Sequence, residues 1–515
     1  MVENKKVWVT LFVLFLIVAG IRTYYALQTP YFSEDGAYFT LRQVENIASH
    51  GTPLYKDTLS YGGRTFLFLP IFHYILALFS KIFNPLIIAK VLPNIFASTI
   101  IFFVYLLVYN ITKDSAVSVF TSLFSAFIPI YFSKTLNSIS VSSIIVPLTV
   151  LLIYLFIEYN EPGKVNYFLA AMFLALLIHP SVILLIISFF VYITLLAIEE
   201  IPIKRSEVEI ILFSAFLMVW LYLLIFKNAF LRHGFSFIWE NIPTKYLVSY
   251  FHQISIWLAI YQIGIIPFFL SIFLIYYYLF NIKNKKVYLL ISFAITTTAL
   301  LWMKLVELEL ALIFLSVVMV ILFGIAYHHL ILYVNKTRFS KLEKPIFALI
   351  CIIFVITAII PSITLAKGAV AQSTTEEYAS TLHKLGEITP ENSRIASPLE
   401  EGHSITYFTG RKNFGDSNFL FLDNSDEVVS DIDELFTTIS KIRANEILNK
   451  YKIDYVVFSP QSAAKYNLKI PLFVDNECFD KVIIPENEDM DPNTKVYKNR
   501  CVIVKNIIAK SMAHK

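Results

Sequence analysis

Two adjacent carboxylates, Glu34 and Asp35, stand in Tyr31-Phe-Ser-Glu34-Asp35-Gly-Ala-Tyr38-Phe-Thr-Leu-Arg42, directly after the first long apolar run. Acids at the mouth of an apolar segment cost free energy unless they face water or a partner, so this pair is the first candidate for chemistry. A carboxylate there can serve as a general base, taking a proton from a hydroxyl or amine while that group attacks. The plainer alternative is a cap: Ser33 or Asp35 would start a helix from about Gly36 to Ser49, whose first turn suits acids. Tyr38, Arg42 and Glu45 recur at helical spacing, which gives that helix a polar face and favours the chemical reading.

Cations follow closely. Arg64 comes after Tyr61-Gly-Gly, whose backbone N–H groups can approach an anion, and arginine matches phosphate with two parallel bonds. Arg64 is therefore the leading phosphate-binding candidate, with Lys56 and Lys90 behind it and Lys134 as a further outer cation. Tyr38, Arg42, Asp57, His179 and Glu240 are accessory candidates. The histidines lack the HxxxH and HExxH spacings of zinc sites, and no P-loop, GxGxxG, GxSxG or CxxC motif occurs. That argues against an ATPase, a dinucleotide enzyme or a serine hydrolase. If a divalent metal such as Mg or Mn takes part, Glu34, Asp35 and Asp57 are the carboxylates to hold it; no cofactor is obligatory.

These residues need a scaffold in lipid. The 515 residues are 57% hydrophobic and only 16% charged, with mean hydropathy +0.66, well short of the charge a soluble domain carries. The net charge of +4 gives no reason to invoke nucleic acid. The run from Val7 to Leu27 is too long for a signal-peptide core and no small-x-small site follows it, so it is read as a retained anchor. Eleven apolar stretches are expected to span: 7–28, 86–109, 115–133, 139–158, 165–180, 182–199, 208–228, 255–281, 286–303, 306–333 and 345–366.

The segment 66–83, broken by Pro70, decides the topology. If it lies along the surface, Lys5, Lys6, Lys113, Lys164, Lys204, Arg205, Lys283, Lys285 and Lys286 all fall on the side of the N-terminus. Few cations then face the other side, which is the cytoplasmic bias expected of short loops. This predicts a mostly α, multi-pass membrane bundle with a cytoplasmic N-terminus. Residues 1–366 form it, including a long outer loop 29–85 with juxtamembrane helices. Residues 367–515 form an extracytoplasmic α/β domain. In that domain Thr374–Leu385 and Glu427–Tyr451 read as helices, Arg394-Ile-Ala and Asp454–Ser459 as strands, and Lys495-Val-Tyr and Val502–Lys505 as edge strands. A disulfide between Cys478 and Cys501 fits an outer location, although sequence spacing alone does not set its geometry.

The same residues resemble the GT-C superfamily of membrane glycosyltransferases. The polyprenyl-phosphate-sugar branch, with protein O-mannosyltransferases and lipid A aminoarabinose transferases, carries an Asp-Glu-x-x-Tyr motif. Ser33-Glu34-Asp35-Gly36-Ala37-Tyr38 is similar, with the two acids exchanged. By position Glu34 matches the leading acid, and by chemical type Asp35 does. Gly51-Thr-Pro-Leu-Tyr55-Lys-Asp57, Arg64 and Pro70–Tyr74 are similar to that branch's loop and non-spanning helix. Phe237-Ile-Trp-Glu240-Asn241 is similar to a patch of the aminoarabinose transferases. A second branch, the catalytic subunits of oligosaccharyltransferases, is similar at Asp35-x-x-Tyr38-Phe-x-x-Arg42 and at Glu401–Arg411. Its WWDYG motif is replaced by Pro398-Leu-Glu-Glu-Gly, and Ser133–Ser142 lacks its acidic metal motif.

The resemblance implies sugar transfer from a polyprenyl- or dolichyl-phosphate donor to a protein or lipid acceptor at the outer face of a cell membrane. En bloc oligosaccharide transfer is the runner-up. A lipid or polysaccharide transporter is the alternative of another class, and it would need charges inside central spans; 139–158 and 182–199 have none between their ends.

Overall fold

The computed structural model describes residues 2–235, 242–252, 254–337, 343–475, 477–483 and 490–501. Helices dominate up to Ala371, as the apolar runs require, because a chain in lipid must satisfy its backbone within each segment. Among the described residues six helical runs are long and apolar enough to cross a membrane: Lys5–Ala26, Pro85–Thr112, Arg205–Ile225, Lys285–Trp302, Leu308–Lys336 and one beginning at Ala348. A seventh arises if Ile256–Ile263 and Ile265–Asn281, bent by 90°, count as one broken span. The bend falls at Gly264, whose φ of 106° is open to glycine and strained for other residues.

The expected number of eleven is therefore corrected. The stretches at 115–133, 139–158, 165–180 and 182–199 are helical, but as Ser115–Ala126, Ser142–Ile157, Lys164–Ile178 and Val182–Ile198. At ~1.5 Å per residue these are roughly 18–26 Å long, short of the ~30 Å hydrocarbon core. Within 66–83 the only helix is Ile71–Ser80, far too short to cross. Leu308–Lys336 is the bundle's central helix, with a continuous buried run from Ala311 to Ile325.

Two strands form a hairpin in the first loop, β1 (Lys56–Asp57) and β2 (Arg64–Thr65), paired antiparallel. The C-terminal part is built on a five-stranded sheet of β3 (Arg394–Ala396), β4 (Lys412–Asn413), β5 (Tyr455–Phe458), β6 (Phe479–Lys481) and β7 (Lys495–Asn499). The strand order is β4-β3-β5-β7-β6. β3 runs parallel to β4 and β5, while β7 is antiparallel to both of its neighbours. Lys495–Asn499 is thus an interior strand and not an edge, and Val502–Lys505 lie outside the described residues. The expected helix over Glu427–Tyr451 is two helices, Ser425–Thr437 and Lys441–Lys450, because Thr438 turns extended and Ser440 caps a new start. Cys478 and Cys501 are joined in a disulfide.

Beside a core of its own in each part, the two parts share a third. Phe32, Tyr38, Leu41, Val44 and Ile47 of the first loop and its helix share one hydrophobic cluster with Leu382, Leu385, Ile395, Ile405 and Val457 of the sheet domain. Burial is the main driving force for such association, so the outer loop folds as part of the sheet domain's inner face. The opposite face of the sheet has its own cluster around Leu399, Ile432, Phe436 and Phe458.

Candidate active site

The helix after the acid pair, Gly36–His50, is amphipathic and ends at Gly51, where φ of 79° and an N–H bond to the Ile47 carbonyl close it. Its buried side carries Tyr38, Leu41, Val44 and Ile47. Its polar side reaches the surroundings: Arg42 grips Asp57 with two bonds of 3.0 and 3.1 Å, and Glu45 accepts from the Tyr407 hydroxyl at 3.0 Å. Asp57 also accepts from the Leu59 amide at 2.9 Å, so it shapes the turn between the hairpin strands. Burial would raise the Asp57 carboxyl, and the Arg42 guanidinium reverses this and holds it below its ordinary value.

Asp35 occupies the N-cap position of that helix but makes no cap there. Its carboxylate instead caps Gly402–Thr409 of the sheet domain, accepting from the His403 and Ser404 amides at 2.9 and 2.7 Å. Two N–H groups left open at a helix start are satisfied from a segment far away in sequence. Burial pushes this carboxyl well above the usual range, against the pull of the two amides. The start of that helix is packed tightly against the Gly415–Asp416 segment, where a Cβ on residue 402 would come within 2.0 Å of the Gly415 carbonyl oxygen.

Arg64 is turned to the same boundary. Its Nη2 meets Asp416 at 3.2 Å and its Nε meets the Ser60 hydroxyl at 3.0 Å; Nη1 donates to the Asn418 carbonyl. Its guanidinium also lies over the rings of Tyr61 and Phe66, at 4.7 and 4.9 Å. Asp416 is fully enclosed and accepts from Ser60 and Asn413 as well, at 2.6 and 3.0 Å. Burial pushes Asp416 up, but His403 and Arg64 hold it below the ordinary carboxylate value. Arg64 is therefore a clasp between loop and domain, with three of its five N–H donors engaged on Ser60, Asp416 and Asn418.

Lys90 is likewise not aimed at an anion. Its ammonium donates to the Ala26 carbonyl at 2.8 Å, the Tyr31 carbonyl at 2.9 Å and Asn137 Oδ1 at 2.7 Å. All three donors go to oxygens that end the first helix and fix the segment entering the acid pair. Lys56 is exposed on β1. Tyr38 is buried against Tyr407 and Phe408. His179 ends the Lys164–Ile178 helix and accepts from the Ser181 amide at 3.1 Å, away from the loop network. Glu240 and the 237–241 patch lie outside the described residues.

The acid that this network does not tie to the sheet domain is Glu34. On one side Ser33 is tied to the Asn137 carbonyl through its amide and hydroxyl, at 3.1 and 3.0 Å. On the other, Asp35 is fixed to the sheet domain. Between these anchors the Glu34 carboxylate is 44% accessible, with Lys134 at 3.6 Å. Lys134 in turn binds Glu309 at 2.6 Å, and Glu307 belongs to the same group by charge. Partial burial raises the Glu34 carboxyl; Lys134 draws it down and Glu309 pushes it up.

Glu307 and Glu309 escaped the sequence reading. Their signal is a pair of acids at the start of the most apolar helix, where a first-turn acid also has a routine explanation. Arg22 escaped too, although it lies inside the first span. It is buried, bonded to Asn94 at 3.1 Å and to Thr135, and lies over Phe132.

The metal set Glu34, Asp35 and Asp57 is not brought together. Asp57 is committed to Arg42 and Asp35 to two amides, and among the described residues no three His, Cys, Asp or Glu side chains are gathered to hold an ion.

No protein-family model and no curated protein sequence matches this chain. Solved structures do. The archaeal oligosaccharyltransferase AglB from Archaeoglobus fulgidus, in complex with an inhibitory peptide and a dolichol-phosphate, superposes with TM-score 0.61 at 15% identity, covering 88% of this chain and 69% of that one. ArnT from Cupriavidus metallidurans bound to undecaprenyl phosphate superposes with TM-score 0.55 at 12% identity, covering 94% and 97%. Its apo state gives 0.57 at 11% identity, covering 96% and 98%. The bundle, the first loop docked on a C-terminal domain and the breadth of superposition agree: the chain shares its fold with these AglB and ArnT structures.

Proposed function

We propose that the chain transfers a sugar from a polyprenyl- or dolichyl-phosphate donor to a protein or lipid acceptor, with Glu34 as the general base. The observation that carries the assignment of the base is the division of labour in the acid pair. Asp35 is consumed as a cap, whereas Glu34 is accessible and set between two fixed neighbours. Glu34 takes the proton of the acceptor hydroxyl or amine, the acceptor atom bonds to the anomeric carbon, and the bond to the phosphate oxygen breaks with inversion. The lipid phosphate leaves with the electron pair. Lys134, which lies beside Glu34 and is bound to Glu309, is the cation assigned to that phosphate in this reading. The donor tail lies along the bundle, and the sheet domain positions the acceptor.

The structures of AglB with dolichol-phosphate and of ArnT with undecaprenyl phosphate support the donor class. The lysine-rich connections at the end of the bundle remote from the sheet domain support a cytoplasmic N-terminus and an extracytoplasmic sheet domain. The test is transfer of radiolabelled sugar from dolichyl- and undecaprenyl-phosphate donors by purified protein in vesicles, comparing wild type with Glu34→Gln. Full transfer by the variant overturns the base assignment. The AglB likeness favours en bloc transfer as a second reading; it predicts activity only with a lipid-pyrophosphate oligosaccharide and its loss on chelation.

A further inference from the structure

At the end of the bundle remote from the sheet domain, where Ser142–Ile157 ends and Arg205–Ile225 and Lys285–Trp302 begin, the helices enclose a cavity of about 320 Å³. Tyr159, Asn160, Lys204, Glu207, Lys285 and Lys286 supply its polar lining. The charges there are unevenly matched. Lys285 is neutralised by Glu207, with its ammonium 3.0 and 2.9 Å from the two carboxylate oxygens. Lys204 and Lys286 have only neutral partners at hydrogen-bond distance, Asn160 Oδ1 at 3.5 Å for the first, and the side-chain and backbone oxygens of Asn110 for the second. Glu158 and Glu161 act on Lys286 at longer range, and Glu158 is itself bonded to the Asn110 amide.

The second observation is independent of charge. Tyr159 is only 7% exposed, lines this cavity, and its hydroxyl has no hydrogen-bond partner. Buried hydroxyls are almost always bonded, so an open one beside two lysines asks for an acceptor. A group with several anionic oxygens would take the hydroxyl proton and face both ammonium groups. Phe156, Ile157 and Leu289 form the apolar walls, and the cavity sits at the ends of apolar helices, where a membrane-spanning bundle meets headgroups. We propose that this pocket seats the phosphate of an anionic membrane phospholipid. The site is separate from Glu34 and does not depend on the reaction assigned there.

The test uses the full chain reconstituted in phosphatidylcholine vesicles with or without phosphatidylglycerol, then extracted in detergent, with retained lipid counted by native mass spectrometry. Wild type is expected to keep phosphatidylglycerol over phosphatidylcholine. The Lys204→Gln/Lys286→Gln variant should lose that preference by about twenty-fivefold, the product of about fivefold for each lysine. Tyr159→Phe, which removes one oxygen and leaves the packing, should weaken it severalfold with its melting temperature in phosphatidylcholine unchanged. Equal retention by wild type and both variants overturns the proposal. So does displacement of the lipid by inorganic phosphate alone, which would make a free anion the ligand.

Discussion

Asp35 and Ser404 meet across the boundary between the first loop and the sheet domain, the Ser404 amide donating to Asp35 Oδ1 at 2.7 Å. The His403 amide donates to the other oxygen at 2.9 Å. One carboxylate of the acid pair therefore holds the domain in place, and its neighbour is presented to the open side. In the proposed function, fold and chemistry are coupled through a single peptide unit.

This division predicts different phenotypes for the two acids. Asp35→Ala leaves two buried amides without an acceptor, at roughly 1–3 kcal/mol each, so thermal unfolding should occur clearly earlier. Asp35→Asn keeps one acceptor and should lose less. Glu34→Gln should leave unfolding unchanged and lower transfer by roughly 10²–10⁴-fold, as expected on removing a general base. A stable Asp35→Asn protein without transfer, beside an active Glu34→Gln, would reverse the two roles.

The rate should depend on pH through Glu34. A base works deprotonated, and partial burial lifts this carboxyl above its ordinary value, so transfer should rise with pH over a range above that of a free glutamate. Glu309 pushes the carboxyl up and Lys134 draws it down. Glu309→Gln should therefore move the acid limb of kcat/KM to lower pH, and Lys134→Met should move it to higher pH.

Arg64 and Asp416 form a pair with side chains 8% and 0% exposed. Removing either partner leaves a buried charge uncompensated and should cost about 3–5 kcal/mol in thermal or denaturant unfolding. Because they share one interaction, the double variant should cost less than the sum of the singles. In the variants that fold, KM for the lipid donor should stay near wild type. A large rise in KM without loss of stability would restore Arg64 as a phosphate ligand.

His73 supplies a pH signature of the fold itself. It is buried among Phe39, Phe68 and Phe72, and burial lowers its pKa from 6.5 to about 4. The unfolded chain thus binds the proton first as pH falls. Stability from this group is complete above about pH 6.5 and is lost between there and about pH 4, on the order of 3 kcal/mol in all. His73→Phe should flatten that part of the stability–pH curve.

Much of this was legible from residue types alone. The acid pair, the helix after it, the short surface helix at Ile71–Ser80 and the strands at Arg394 and Tyr455 follow from local pattern. Span number did not, because an apolar run reports solubility in lipid but not where the helix within it stops. Polar side chains bridging the parts escaped for a related reason. The donors of Arg64 and Lys90 look free in sequence, and their acceptors, Asp416 and Asn137, are distant along the chain.

Composition, hydropathy and the placement of a few acids determined by themselves that this chain lives in a membrane and which loop acids are candidates for chemistry. Only the tertiary structure separates the surroundings of Glu34 and Asp35, the difference on which the proposed choice of base rests. Adjacent residues share a sequence context, but successive side chains leave the backbone in different directions. Here one direction meets the open amides at the start of the Gly402–Thr409 helix, and the other meets Lys134 and accessible space.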